Sequence, residues 1–513
     1  MKKLNYIQGA FILTMTNLIT GVLSFAFRIL LSRSIGAEGV GVYQLVLPLY
    51  TLFITLVSGG VITAISKLIA EQQIKSNYRN MHKIITICCT LFGTWSILLA
   101  VSLSFNADLV SLYILKDPRT LYSIIIFTPA IVFISLSAVI RGYFYGLQEV
   151  KPPALIDVAE KVVRLAGLIV AVKIMLPYGI EYVCAGAMLA MTAGELVSLL
   201  LLFTVYLKKK YSYINQKHSI TDTSFGIINR ILANAIPLSV SGALSTIMEM
   251  LCAVIVPTQL IAAGYNKQNA LSLYGELMGM AMPLLFFPFI IIASLSITLV
   301  PAITAAYTSR NWVVLRRQCE TAIKIAATLG FGTTALFFTF PNQLSMFFFN
   351  NQQAGSLLYW LSLACIFHFL EFTLFAISNG LGMQSKVLGY SIINITILIL
   401  CSYILIPMPR INIYGYIIGF NISSVLIVFK NSLDLKKIKL LNFKLIKLLA
   451  KPFISFVFMI FTLRFAYEYF IRLLNPGNAL LAALISGTIV YVSALLLTGT
   501  FTIKQVFNTL SLK

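Results

Sequence analysis

Fourteen stretches of this sequence are long and mostly apolar, and this repetition constrains the fold more than any single motif does. They lie near 5–31, 39–65, 84–105, 119–145, 154–176, 183–207, 231–257, 277–305, 319–340, 357–380, 385–406, 413–433, 449–472 and 479–498. A helix needs about 20 mostly apolar residues to cross a hydrocarbon core of roughly 30 Å. Inside that core only helices and closed barrels satisfy every backbone polar group. Runs this long favour the helix, so the sequence predicts an all-α polytopic membrane protein of about fourteen transmembrane helices. Composition agrees: 59% of residues are hydrophobic and 11% charged, against about 45–50% and 25% in soluble domains.

The formal net charge of +22 raises nucleic acid as a partner, but the placement of the charges argues against it. With Met1 on the cytoplasmic side, 26 Lys and Arg fall in cytoplasmic segments and seven on the opposite side. Lys and Arg are enriched in cytoplasmic loops, so both termini are expected to face the cytoplasm across the cytoplasmic membrane of a bacterium. The basic loops read as topology signals beside anionic lipid headgroups. The basic, apolar N-terminus resembles a signal peptide but lacks a small-residue cleavage site, so it reads as the first span.

Two halves share features. Pro48 in YQLVLPLY is matched by Pro283 in MGMAMPLL, and Gly146-x-Gln148 by Gly382-x-Gln384. TAISK near the end of the second span resembles PAITA near the end of the eighth. Similar offsets for three matches predict a repeat of two six-helix bundles, 1–207 and 231–433. Residues 208–230 form a basic cytoplasmic linker, and 434–513 a basic loop with two further helices. Six is even, so the halves share an orientation. Repeated bundles with interrupted helices at matching positions are the sequence sign of a transporter with its site between the halves. Pro48 and Pro283 are the hinge candidates.

The stretch LIDVAEKVVRLAGL (155–168) brings Asp157, Glu160, Lys161 and Arg164 into an oily segment. A charge at the bilayer centre costs about 2.5–3.5 kcal/mol on insertion scales, so these four must pair or face water. Asp157 to Lys161 and Glu160 to Arg164 are i,i+4 pairs with the acid leading, the favourable order. Pro152 and Pro153 suit a helix start. Two readings stay open: a self-paired helix entrance at the cytoplasmic surface, or a face bordering a cavity where Arg164, the deepest of the four, meets a ligand. Arg28, Glu195, Glu249 and Glu371 lie inside other spans without a local partner. Intramembrane ionisable residues usually face a bundle interior or a water-filled path; interhelical ion pairs are the competing explanation.

The seven cysteines all fall in apolar runs without a CxxC or Cys/His spacing, and the three histidines are scattered. No metal or cofactor is expected. No stretch between the apolar runs is large enough for a folded catalytic domain, so the chain reads as a non-enzyme.

SIGAEGVGVYQL (34–45), AISKLIAE (64–71), RGYFYGLQ (141–148), LPYGIEYVCAGAML (176–189), AGELVSLL (193–200), YGELMGMAM (274–282) and LSITLVPAIT (295–304) together resemble a known family. It is the polysaccharide-biosynthesis branch of the multidrug/oligosaccharidyl-lipid/polysaccharide exporter superfamily, and its sporulation members in particular. The resemblance implies two six-helix bundles around a V-shaped cavity, and a role in spore cortex peptidoglycan synthesis. It further implies a flippase that carries a polyprenyl-pyrophosphate-linked saccharide by alternating access, in company with membrane lipids and cell-wall synthesis enzymes. On that reading Arg28, Arg141 and Arg164 hold the headgroup. Asp157, Glu160, Lys161, Glu195, Glu249 and Glu371 supply gating pairs or ion sites, with proton, sodium or membrane potential open as the coupling. A drug or organic-cation antiporter of the same superfamily is the alternative, as is a non-transporting partner of cortex-synthesis enzymes.

Overall fold

The computed structural model describes residues 6–212, 222–437 and 445–500, and every regular element among them is helical. The first eight helices are α1 (Tyr6–Ser58), α2 (Val61–Ile74), α3 (Tyr78–Phe105), α4 (Leu121–Gly146), α5 (Lys151–Met175), α6 (Ile180–Ser212), α7 (Ser224–Ala262) and α8 (Lys267–Gly275). After a π-helical turn at Glu276–Ala281 and a short helix at Met282–Phe286 come α9 (Phe289–Thr308), α10 (Trp312–Thr339), α11 (Gln353–Ser362) and α12 (Cys365–Gly380). The last four are α13 (Gln384–Leu405), α14 (Tyr414–Lys437), α15 (Leu445–Phe470) and α16 (Pro476–Leu497).

Eleven helices among the described residues are long and apolar enough to cross a membrane, or twelve if α11 and α12, bent by 58° at their junction, make one span. The expected fourteen is not reached by that measure, for two reasons. The first two expected spans run as one helical track, broken at Gly36 (φ 67°, ψ −173°). The charges of α5 set it apart from an ordinary span. The chain is a multi-pass helical membrane protein.

Two compact units divide the chain. One takes residues up to Thr258 together with Asn266–Gly275; the other takes Gln259–Tyr265 and the chain from Glu276 onward. This differs from the expected division at the 208–230 linker, of which 213–221 lie outside the described residues. Most of α7 and all of α8 join the first unit because their surfaces fit it. Ile227, Ile231 and Ala235 enter one apolar core with Ile65, Ile69, Met81, Tyr143 and Tyr206. Arg230 pairs with Glu71, and Asn80 donates to Asp222 at 2.9 Å. Farther along, α8 crosses the 37–58 segment of α1 with backbones touching: a Cβ at Gly41 would strike Leu271 O, and one at Gly275 would strike Ala37 O. Two of the resemblance motifs, at 34–45 and 274–282, therefore meet in space at their glycines.

A repeat is present in the backbone at an offset of 234 positions, which pairs Gly146 with Gly380 and Gln148 with Gly382, so the Gly-x-Gln match read from the sequence is out of register. Helix α4 ends with Leu147 N–H donating to Tyr143 O, Gln148 to Tyr145 O and Glu149 to Phe144 O. Helix α12 ends with Leu381 donating to Ile377 O, Gly382 to Asn379 O and Met383 to Ser378 O. Gln148 and Gly382 both take positive φ there. Likewise Ser76 and Arg310 take positive φ, and Asn77 and Asn311 cap the next helices through the amides of Asn80 and Val314. Packing repeats too: Gly146 sits against Ile69 and Gly380 against Ile303. In the second unit α15 and α16 add to this repeat, with Tyr491 Oη donating to Thr328 O of α10 at 2.7 Å.

Candidate functional site

The site lies in the first unit, where α1, α4, α5 and α6 converge. Helix α5 opens with prolines in its first turn, so its charged turns follow directly from the entry. Glu160 and Arg164 each have a partner on another helix as well as on their own, Asp157 has one on another helix and Lys161 one on its own. Arg141 of α4 pairs with Asp157, donates to Ser198 Oγ at 2.9 Å and lies 3.8 Å from Glu160. Lys161 Nζ is 3.1 Å from Glu160 Oε1. Arg164 Nη2 is 2.5 Å from Glu160 Oε1 and also pairs with Glu195 of α6. Of the two expected i,i+4 pairs, Glu160 with Arg164 forms. Among the described ion pairs, Asp157 turns to Arg141 instead of Lys161, because the α4 guanidinium reaches it across the helix boundary.

The motif AGELVSLL on α6 fits around the arginines of α4 and α5. A methyl on Gly194 would sit 2.6 Å from Arg164 Cγ, so the glycine leaves the channel through which that side chain passes. One residue on, Glu195 accepts it; one turn further, Ser198 accepts from Arg141. Gly194 and Ser198 were not singled out in the sequence, and their signal was the small-acid-small spacing beside a charged helix. Helices α5 and α6 lie close enough for this because small residues line their contact, Gly167 against Ala190 and Gly186 against Ala171.

A hollow of about 140 Å³ opens beside this network. Arg28, Lys161 and Arg164 reach its wall together with Leu23, Phe27 and Tyr43. Tyr43 is buried and donates to Met191 Sδ at 3.3 Å. Arg28 has no ion pair among the described residues, and the buried Arg164 Nε has no hydrogen-bond partner. Across the site Arg28, Arg141, Lys161 and Arg164 face Asp157, Glu160 and Glu195, which leaves one positive charge in excess. Helix α5 is thus ion-paired, largely to α4 and α6, and Arg164 also borders a hollow.

The remaining candidates lie apart from the network. Glu249 is exposed on α7 without an ion pair among the described residues. Glu371 lies in the second unit, 7% exposed on α12, where Asn394 Nδ2 donates to it at 3.1 Å and His368 Nδ1 lies 3.8 Å away. It lines a separate hollow of about 400 Å³ walled by Phe286, Phe289, Phe372, Phe375 and Phe420. Pro48 sits inside an unbroken helical segment; the break in α1 is at Gly36. Pro283 does stand at an interruption, in the first turn of Met282–Phe286 directly after the π-helix.

Residues 6–307 match the family model described as polysaccharide biosynthesis protein. Stage V sporulation protein B of Bacillus subtilis (strain 168) is 30% identical over 447 residues, 87% of this chain and 86% of that protein. Lipid II flippase MurJ of the same organism is 23% identical over 431 residues, 79% of this chain and 78% of that protein. A solved structure of lipid II flippase MurJ in an inward closed conformation shares the fold with a TM-score of 0.70 and 15% identity, over 98% of this chain and 99% of that one.

Proposed function

Because the chain belongs to the polysaccharide biosynthesis protein family, we propose that it is a flippase for a polyprenyl-pyrophosphate-linked saccharide. The observation that carries this reading is the hollow walled by Arg28, Lys161 and Arg164, with one cation more than the acids around it. A lipid-linked pyrophosphate has an anionic head that hydrocarbon rejects and a tail that never needs to leave it. Guanidinium groups grip phosphate oxygens in pairs of parallel hydrogen bonds, which lowers the crossing cost of the head. Arg28 offers a charge unspent on the protein, and Arg164 an unspent Nε–H.

Arg141 is a positioning residue on this reading, since Asp157 and Ser198 occupy its guanidinium. Asp157, Glu160, Lys161 and Glu195 hold the arginines in place and exchange partners as the site alternates between inward- and outward-open states. Glu249 and Glu371 are the remaining candidates for ion coupling. The substrate is a peptidoglycan precursor of the lipid II type, moved outward across the cytoplasmic membrane with both termini inside. The process served is spore cortex synthesis, beside cell-wall synthesis enzymes. In a cortex-deficient host, the R28A variant should reach normal membrane levels and fail to restore cortex; restored cortex would remove Arg28 from the headgroup site.

One observation favours a second reading, an organic-cation antiporter. The Glu371 hollow sets a carboxylate among five phenylalanines, and aromatic faces attract cations. Resistance assays in a pump-deleted host separate the two: protection against lipophilic cations that is lost in E371Q supports the antiporter.

A further inference from the structure

The main stretch of the second unit, from Glu276 onward, opens on a π-helix that runs to Ala281. Such turns are rare and frequent at functional sites. Its first residue, Glu276, is 2% exposed. Asn351 Nδ2 donates to Glu276 Oε1 at 3.0 Å, while Oε2 is buried with no hydrogen-bond partner. Within this unit the π-helix packs against Met282–Phe286, Pro341–Phe349 and α11. Met282–Phe286 holds no ionisable side chain, and 341–362 holds no Asp, Glu, Lys, Arg or His, leaving Tyr359 as its only titratable group. Ionising a carboxyl in such surroundings costs several kcal/mol, with only the Asn351 amide to offset it.

The matching turn of the first unit handles its acid differently. Lys116 and Asn350 take the same positive φ, and Ser111 and Ser345 donate to the carbonyls of Asp117 and Asn351. Asp117 is buried as a carboxylate between Arg119, at 2.9 Å, and Lys267, at 3.7 Å. Its counterpart Asn351 is a neutral amide, and its partner is the acid of the π-helix. One turn supplies cations to its acid; the other supplies a single amide N–H.

We propose that Glu276 is a proton-binding site: its carboxyl is protonated in this arrangement and ionises when the π-helix opens it to water. Proton loss would strand a charge seven residues before Pro283, where the helix is already interrupted, and would drive the segment toward water. Proton uptake would restore the closed turn. The proton site stands on this geometry alone; its use in the transport cycle rests on the flippase reading above.

Infrared difference spectra of the full chain in lipid nanodiscs at neutral pH test the site directly. The C=O stretch of a protonated buried carboxyl is expected, lost in E276Q and retained in E371Q. N351L, which removes the single donor to Glu276, should move the same band to higher frequency and decides the matter if E276Q fails to fold. Loss of a carboxylate band from E276Q, or an acid band unmoved by both variants, overturns the assignment. A second arm follows leaflet exchange of a fluorescent polyprenyl-pyrophosphate saccharide in liposomes across a series of pH values. The unmodified chain should change its rate by up to about tenfold per pH unit, as one proton per step requires, and E276Q should be flat. An unaltered pH profile in E276Q overturns the coupling, whereas no exchange by either protein overturns the flippase reading and leaves the infrared result to decide the proton.

Discussion

Arg164 and Arg28 illustrate opposite uses of the same side chain. Arg164 is held by Glu160 and Glu195, and its removal leaves buried Glu195 without an ion pair while Glu160 keeps Lys161 and Arg141. Breaking a buried pair by deleting one partner typically costs about 3–5 kcal/mol, so R164A should lower the unfolding midpoint in detergent sharply. R164A combined with E195Q should recover part of that loss, because it removes one stranded charge. Arg28 has no acid to strand. R28A should leave the unfolding midpoint unchanged or raise it, in keeping with the stability that strained functional sites give up. A thermal scan of the three variants checks both expectations. Local spacing revealed the Glu160–Arg164 pair but not Asp157 with Arg141, since the second bond depends on how α4 meets α5. Glu276 is illegible for a related reason: just ahead of the 277–305 run it reads as a solvated end, and only packing shows it buried.

Glycines and caps set the elements. Gly36 combines positive φ with extended ψ, a region that is essentially glycine-only and costs about 1–3 kcal/mol for other residues. G36A should therefore destabilise the first unit, which limited proteolysis would report as faster cleavage there. Asn77 and Asn311 cap equivalent helices in separate units; N77A and N311A should each cost about 0.5–2 kcal/mol and add in the double variant, as independent sites do. At the turn before α4, burial opposes the charge of Asp117. Hydrogen bonds from Arg119 and the nearby Lys267 outweigh it and hold the carboxyl below the usual range. That stabilisation is present in full above the unfolded-state value near 3.9 and is lost as pH falls through the lower folded value. D117N should thus lower the melting temperature at neutral pH and flatten its acid dependence.

At the scale of the whole molecule, hydropathy was enough for the fold class, because apolar length leaves the backbone no other solution. It misjudged the division into units, since α7 and α8 continue the apolar pattern of the second half while their small and charged residues fit the first. The prolines and glycines pointed to a repeat but set it out of register; the offset of 234 emerges only when helix ends are compared bond by bond. The charged site was half legible: the residues of α5 stood out, while Gly194, Ser198 and the hollow depend on tertiary contact. Leaflet exchange by the purified chain in liposomes, with a labelled polyprenyl-pyrophosphate saccharide, tests the central claim most directly. The unmodified protein should carry the label to the opposite leaflet, R28A should fall to the protein-free rate, and R28K should lie between. Exchange by R28A at the unmodified rate would contradict the account.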